Sequence, residues 1–337
     1  MTLALDLSGP QATPPVPREI DPGLPTGDRV FHGAARTVGV FVLVLTGSIG
    51  LFLGLQSIPT FQHYGLNFLT RSEWQPAIDQ IGISAVVLGT IEVAVVALFV
   101  SFPLALLTAV YISEYAPGRL KSMLVSAVDL MAAVPPIIYG LWAVFLFQPH
   151  IIYVARWLHT YLGWLPFLHV NTDPHAAVWE QSRYTSSVFV AGLAVSLMTI
   201  PLGCAIMRGV FAQAPIGERE AALALGATKW GMVRTVVLPF GRGGVIGGTM
   251  LSLGRALGET AAVLLIISPA FDLKFRILEA GTETISALIA GNFGDASATQ
   301  LSALLSAGFI LFVMTLCVNT VAAIFVNRSR SGAATEI

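Results

Sequence analysis

The sequence predicts an all-α membrane protein with six crossing helices, and three observations predict it. Of its 337 residues 55% are hydrophobic and only 11% charged, less than half the charged share of an ordinary soluble domain. Mean hydropathy is +0.77. The apolar residues gather into runs of roughly twenty or more, which a bilayer demands and a globular core does not. A soluble enzyme, a secreted disulfide scaffold and a disordered regulator are excluded. The formal charge of −1 offers no basic footprint for nucleic acid. Cys204 and Cys317 both fall inside apolar runs, where they read as small hydrophobes.

In chain order, residues 1–29 hold six prolines and four acids with no apolar run. They match neither a signal peptide nor a twin-arginine leader and read as a disordered tail on the side of synthesis. A first span at 38–58 and its outer loop occupy residues 30–80. A core at 81–326 then holds spans at 81–112, 123–147, 188–211, 243–267 and 301–326, and 327–337 is a terminal tail. The second span is long enough to tilt or project. Two outer segments are long, 148–187 and 268–300. The first contains an aromatic stretch, 150–168, with Tyr153, Trp157, Tyr161 and Trp164 around Arg156. It reads as an interfacial helix, because a seventh crossing would place the basic 208–242 segment outside. With the N-terminus inside, twelve Lys/Arg lie on inner segments and five on outer ones, which favours both termini being cytoplasmic. Pro103, Pro135, Pro136 and Pro201 each remove a backbone donor. They read equally well as static kinks or as breaks in a bundle that moves.

Arg255 is the most informative residue, because it stands at the middle of the 243–267 span. Arginine at a helix centre costs about 2.5–3.5 kcal/mol on insertion scales. Glu259 follows four residues later, so on a continuous helix both side chains share one face and can neutralise each other. The guanidinium fork suits the oxygens of an anion. The carboxylate would hold Arg255, donate to a protonated oxyanion, or repel a dianion. The bland alternative is an ion pair that sets helix register. Gly244 with Gly248, and Gly254 with Gly258, are small-residue steps that admit a close neighbour. Thr260 adds a hydroxyl that either faces a ligand or bonds back to its own helix. Glu92 is also deep, and lines the path or pairs with another chain, whereas Asp129 is expected at the inner interface. His169, Asp173 and His175 lack the spacing of a metal site and read as solvated loop residues.

The inner segment 213–242 predicts two short helices with a sharp bend. Glu218 and Glu220 suit a first helical turn, Gly226 breaks the helix, and a second helix from Thr228 ends before Pro239. Such a knob fits a groove on a soluble partner, although periodicity alone allows a surface hairpin without one.

Glu220-Ala221-Ala222, then Gly226, then Leu238-Pro239 resembles the EAA loop of ABC importer permeases, with Val236 where that pattern usually has Ile. Leu253–Thr260 (L-G-R-A-L-G-E-T) and the 129–142 segment (D-L-M-A-A-V-P-P-I-I-Y-G-L-W) resemble the C-type permeases of phosphate importers, and the A-type sister family carries a similar R-A-L-G-E-T string. The resemblance covers residues 81–326. It implies a type I importer permease fold and half of a translocation path. The implied partners are an A-type sister permease (PstA-type), a dimer of PstB-type ATPases, an extracytoplasmic phosphate-binding protein (PstS-type), and membrane lipid. Glu220, Ala221, Ala222, Gly226, Leu238 and Pro239 map to ATPase coupling, and Arg255, Glu259 and Thr260 to the substrate pathway. None of the three lysines follows a glycine, so no phosphate-binding loop of the G-K-[ST] kind exists; Mg-ATP and its hydrolysis are expected on the partner. Competing readings are the A-type sister permease, a permease for another oxyanion, a secondary carrier with Glu259 as its proton site, and, for want of a nucleophile less well, a lipid-phosphate enzyme.

Overall fold

The computed structural model describes residues 26–172 and 180–330, with side chains over 27–172 and 180–326. Most of the expected N-terminal tail, Asp173, His175 and the end of the C-terminal tail lie outside the described residues. Helix α1 is Thr26–Tyr64, longer than the expected first span. The chain forms two units divided after Ile49. In the first, the helix is apolar and exposed along nearly its whole described length.

The second unit begins at Gly50. After the last turns of α1 come α2 (Ser84–Tyr115), α3 (Gly118–Ala133), α4 (Pro136–Leu162), α5 (Val188–Phe211), α6 (Ile216–Ala224), α7 (Lys229–Phe240), α8 (Arg242–Leu257), α9 (Ala261–Ile266), α10 (Ile285–Asn292) and α11 (Ala298–Arg330). Among the described residues five helices are long and apolar enough to cross a membrane, or six if the bent pair α7–α8 counts as one span. The predicted all-α, six-span class therefore holds.

α5 is the axis of this unit. In its most apolar window 61% is buried within the protein, against 44% for α2 and 6% for α11. A helix apolar on all sides and buried on most of them belongs at the centre. Small residues set its distance from its neighbours. A β-carbon built on Gly192 of α5 would stand 2.6 Å from Val96 Cγ1 of α2. Gly244 and Gly248 of α8 lie against Val210, Ile206 and the Gly203 carbonyl of α5, so the first predicted glycine step is a real close approach. Of the second step, Gly254 faces Asn319 of α11 and Gly258 meets only its own backbone.

Two predicted spans are interrupted. The span expected at 123–147 is split between α3 and α4 at Val134, which is extended before Pro135, and Pro136 opens α4 as its first residue. The clash of a proline ring with the preceding residue makes that break. Beyond it, α4 continues through a π-helical turn, Ala143–Phe147, into Gln148–Leu162. Most of the expected separate interfacial helix is thus the continuation of this span. By contrast, Pro103 and Pro201 lie inside unbroken helices. The span expected at 243–267 stops at Leu257 and resumes at Ala261. α11 runs to Arg330 rather than ending at 326.

One end of the bundle carries α6 and α7. There Ala105, Ala109 and Ile112 of α2, Val128 of α3, Met207 and Phe211 of α5, and Met232, Val233 and Val237 of α7 form one buried cluster. At the opposite end the two long connections are laced together. The Phe189 N–H donates to the Ile277 carbonyl at 2.8 Å and the Ala280 N–H to the Arg183 carbonyl at 2.8 Å. Glu279 sits between Arg276 (3.0 Å) and Lys274 (3.8 Å). Burial pushes its carboxyl up, but hydrogen bonds from Arg276 and the Asn171 N–H, with the Lys274 charge, outweigh that and hold it below the usual range.

Replacing Gly192 with alanine should separate α5 from α2 and cost about 1–3 kcal/mol, the range for an overpacked core. Gly209 on the same helix has nothing within 4 Å of a built β-carbon, so Gly209→Ala should be neutral. Thermal melts of the two variants in detergent check the contrast.

Candidate functional site

Arg255 lies in the last turn of α8, with its side chain exposed. Among the described residues it makes no hydrogen bond and no ion pair. Tyr139 of α4, whose hydroxyl donates to the Met131 carbonyl at 2.8 Å, lies within range of its charge. Glu259 is 7% exposed and turned into the protein. Its Oε1 accepts the Ala262 N–H at 3.1 Å, at the start of α9. Its own carbonyl accepts the Ser286 hydroxyl of α10 at 2.7 Å.

The expected neutralising pair is therefore absent. Spacing of four residues brings side chains together only while the helix continues. Here Gly258 leaves helical geometry at φ −95°, ψ 3° and Thr260 at φ −113°, ψ −58°. Each charge instead meets a helix terminus. The cation sits at the negative end of α8 and the carboxylate at the positive end of α9. A terminus stabilises a fitting charge by about 0.3–1 kcal/mol, up to about 2 kcal/mol when partly buried. That offsets only part of the roughly 2.5–3.5 kcal/mol insertion cost of Arg255. The guanidinium is left with donors to offer.

Thr260 donates to the Gly258 carbonyl at 3.3 Å. This is a bond across the break, not the helical back-bond that its position suggested. Glu92 is half-buried on α2 and, among the described residues, forms neither a hydrogen bond nor an ion pair. Asp129 meets Arg208 at 3.3 Å, linking α3 to the last turn of α5.

The second site is the knob at 212–241. α6 ends in a left-handed turn at Gly226, φ +86°, with the Gly226 N–H bonded to the Leu223 carbonyl and the Ala227 N–H to that of Ala222. Only glycine takes that turn without steric cost. Thr228 then caps α7, accepting the Gly231 N–H at 3.0 Å. Contrary to expectation, α7 passes through Pro239 to Phe240. A π-helical turn, Val233–Val237, precedes Leu238–Phe240 and absorbs the missing donor. The chain turns by 69° between α7 and α8. Glu220 and Ala221 are exposed, Ala222 packs on the buried cluster, and Leu238 and Pro239 form the half-buried root. Ile216 and Leu225 are 71% and 90% exposed.

Arg219 had no assigned role in the sequence reading. Its Nη1 meets Glu114 of α2 at 3.2 Å, and its Nη2 donates to the Phe211 carbonyl that ends α5. The only local sign of it is a cation set between Glu218 and Glu220.

Residues 101–331 match the family model described as the binding-protein-dependent transport system inner membrane component. The chain belongs to this family. It is 39% identical over 300 residues to the phosphate transport system permease protein PstC 2 of Mycobacterium bovis, covering 88% of this chain and 90% of that one. It is 36% identical over 302 residues to PstC of Xylella fastidiosa, covering 89% and 91%. Among solved structures it resembles a bacterial ABC transporter involved in the import of the acidic polysaccharide alginate. That match has a TM-score of 0.57 at 16% identity, over 91% of this chain and 100% of that one, a likeness of fold. The chain is thus an inner membrane component of an importer.

Glu259→Ala should remove the α9 cap and cost about 1 kcal/mol, within the roughly 0.5–2 kcal/mol measured for lost caps, whereas Glu259→Gln keeps an acceptor oxygen and most of the stability. Denaturation midpoints of both variants test the capping role.

Proposed function

We propose that this chain is the C-type permease subunit of an ATP-driven inorganic phosphate importer, with both termini in the cytoplasm. The observation that carries the reading is Arg255: a cation in the last turn of α8, at a break before α9, without a protein partner among the described residues. Relatives over nearly the whole chain being phosphate permeases supports phosphate as the anion that meets it.

In this reading the guanidinium offers paired donors to two phosphate oxygens. Glu259 keeps the break in place, so that Arg255 stands at a helix end rather than in a closed ion pair. Thr260 supplies a hydroxyl beside the same opening. An A-type sister permease would complete the path on the exposed side of Arg255, and a phosphate-binding protein would deliver the anion at the laced end. A dimeric ATPase, which would bind the Mg-ATP, would grip the knob through Glu220, Ala221 and the apolar tips Ile216 and Leu225. ATP-driven closure does useful work only if the two states of the bundle bind the anion differently, and a site built at a helix break changes when the halves of that helix shift.

Arg255→Gln should reduce phosphate uptake by at least about tenfold, the weight of one charge-assisted hydrogen bond of about 1.5–3 kcal/mol, while the assembly purifies intact. Normal uptake by an assembled variant would remove Arg255 from the path. Gly226→Leu places a side chain at φ +86°, at a cost of roughly 1–2 kcal/mol. It should loosen the ATPase or uncouple it, as read by co-purification and phosphate-dependent ATP turnover.

A further inference from the structure

The knob presents a mechanical problem. α6 has no fully buried residue along its nine positions, so apolar packing anchors it weakly. Half-buried Ala222 touches the buried cluster, and apart from Arg219 the rest of the helix lies on the surface. Its polar tie is Arg219, which is 19% exposed at the side chain and faces a Glu114 side chain only 5% exposed. Nη1 reaches both carboxylate oxygens of Glu114, at 3.2 and 3.3 Å. Oε1 of the same carboxylate also accepts the Ser113 hydroxyl at 2.7 Å. Nη2 donates to the terminal carbonyl of α5 at Phe211. Glu114 belongs to the π-helical turn that closes α2. One side chain thus joins the surface helix to the ends of the two most buried spans.

A buried ion pair is a costly way to hold a helix in place, because both ions lose their water. A guanidinium reaching two acceptors is also stiff and directional, as an apolar contact is not. The Arg219 cation further sits at the negative end of α5, a favourable place for it. Removal of either ion leaves the other buried and uncompensated.

We infer that Arg219, clasped by Glu114, is a positioning residue that transmits motion of α6 to the inner ends of α2 and α5. The inference rests on the proposed importer function, since it needs a partner that moves α6. Docking itself belongs to the exposed residues of α6 and to Gly226; Arg219 is turned away from that surface.

The test uses the complete assembly of this chain with its sister permease and ATPase, reconstituted in vesicles with phosphate-loaded binding protein. Arg219→Gln, Glu114→Gln and the double variant are compared for ATPase retention and for stimulation of ATP turnover by the loaded binding protein. Each single variant should keep the ATPase yet lose stimulation at least tenfold, and the double variant should be no worse than either single one. Near-normal stimulation in either single variant overturns the inference, as does loss of the ATPase, which would make the pair a docking or folding element. Additive defects overturn it too, since the two groups would then act separately. A wild-type assembly showing no stimulation by phosphate overturns the importer reading, and this inference with it.

Discussion

The close approach of α5 to α2 and α8 is the constraint on which the rest of the bundle depends. Side chains at Gly192 or Gly244 would drive α5 away from α2 and α8, and the neighbours at those points are branched side chains or backbone rather than flexible tips. Lipid tails are as apolar as leucine, so the hydrophobic effect does little to hold helices together within a membrane; contact at short range does it instead. Because α5 and α2 are held at that distance, α8 is fixed beside them and its last turn comes to a defined place. The position of Arg255 follows from glycines as far away as the opposite end of α8.

Helix ends do for charge what glycines do for distance. Arg255 lies at the negative end of α8, Glu259 at the positive end of α9, and Arg219 at the negative end of α5. In a protein with so few charged residues, these ions are placed where backbone dipoles already favour them. The break between α8 and α9 is tolerated because its freed groups find partners: Glu259 takes the Ala262 N–H, the Thr260 hydroxyl bonds the Gly258 carbonyl, and Ser286 bonds the Glu259 carbonyl within the gap.

The helical class, the six-span count and the knob with its glycine turn were legible in the sequence, since each depends on composition or on a local rule. The separation of Arg255 from Glu259 was not, because the four-residue rule assumes an unbroken helix and nothing but Gly258 marks the interruption. Pro135-Pro136 and Pro239 show the same difficulty from two sides. The first pair stops a helix, while Pro239 is carried through by the preceding π-helical turn, which has no pattern of its own in the sequence. The fusion of the aromatic stretch into α4 was hidden because Arg156 and the aromatic residues suit an interface and a projecting helix end equally well. Arg219 was missed for a different reason: its partner Glu114 is more than a hundred residues away, and only folding brings them together.

The lacing of the outer connections has a consequence for how this bundle can bend. The start of α5 is stitched to another segment by main-chain bonds at Phe189 and Ala280, and its last residue is gripped by Arg219. A helix tied at both tips carries a displacement of one anchoring segment to the other. Between such tied segments the chain keeps two interruptions, at Val134-Pro135 and at 258–260, and the second of them is where the Arg255 guanidinium stands.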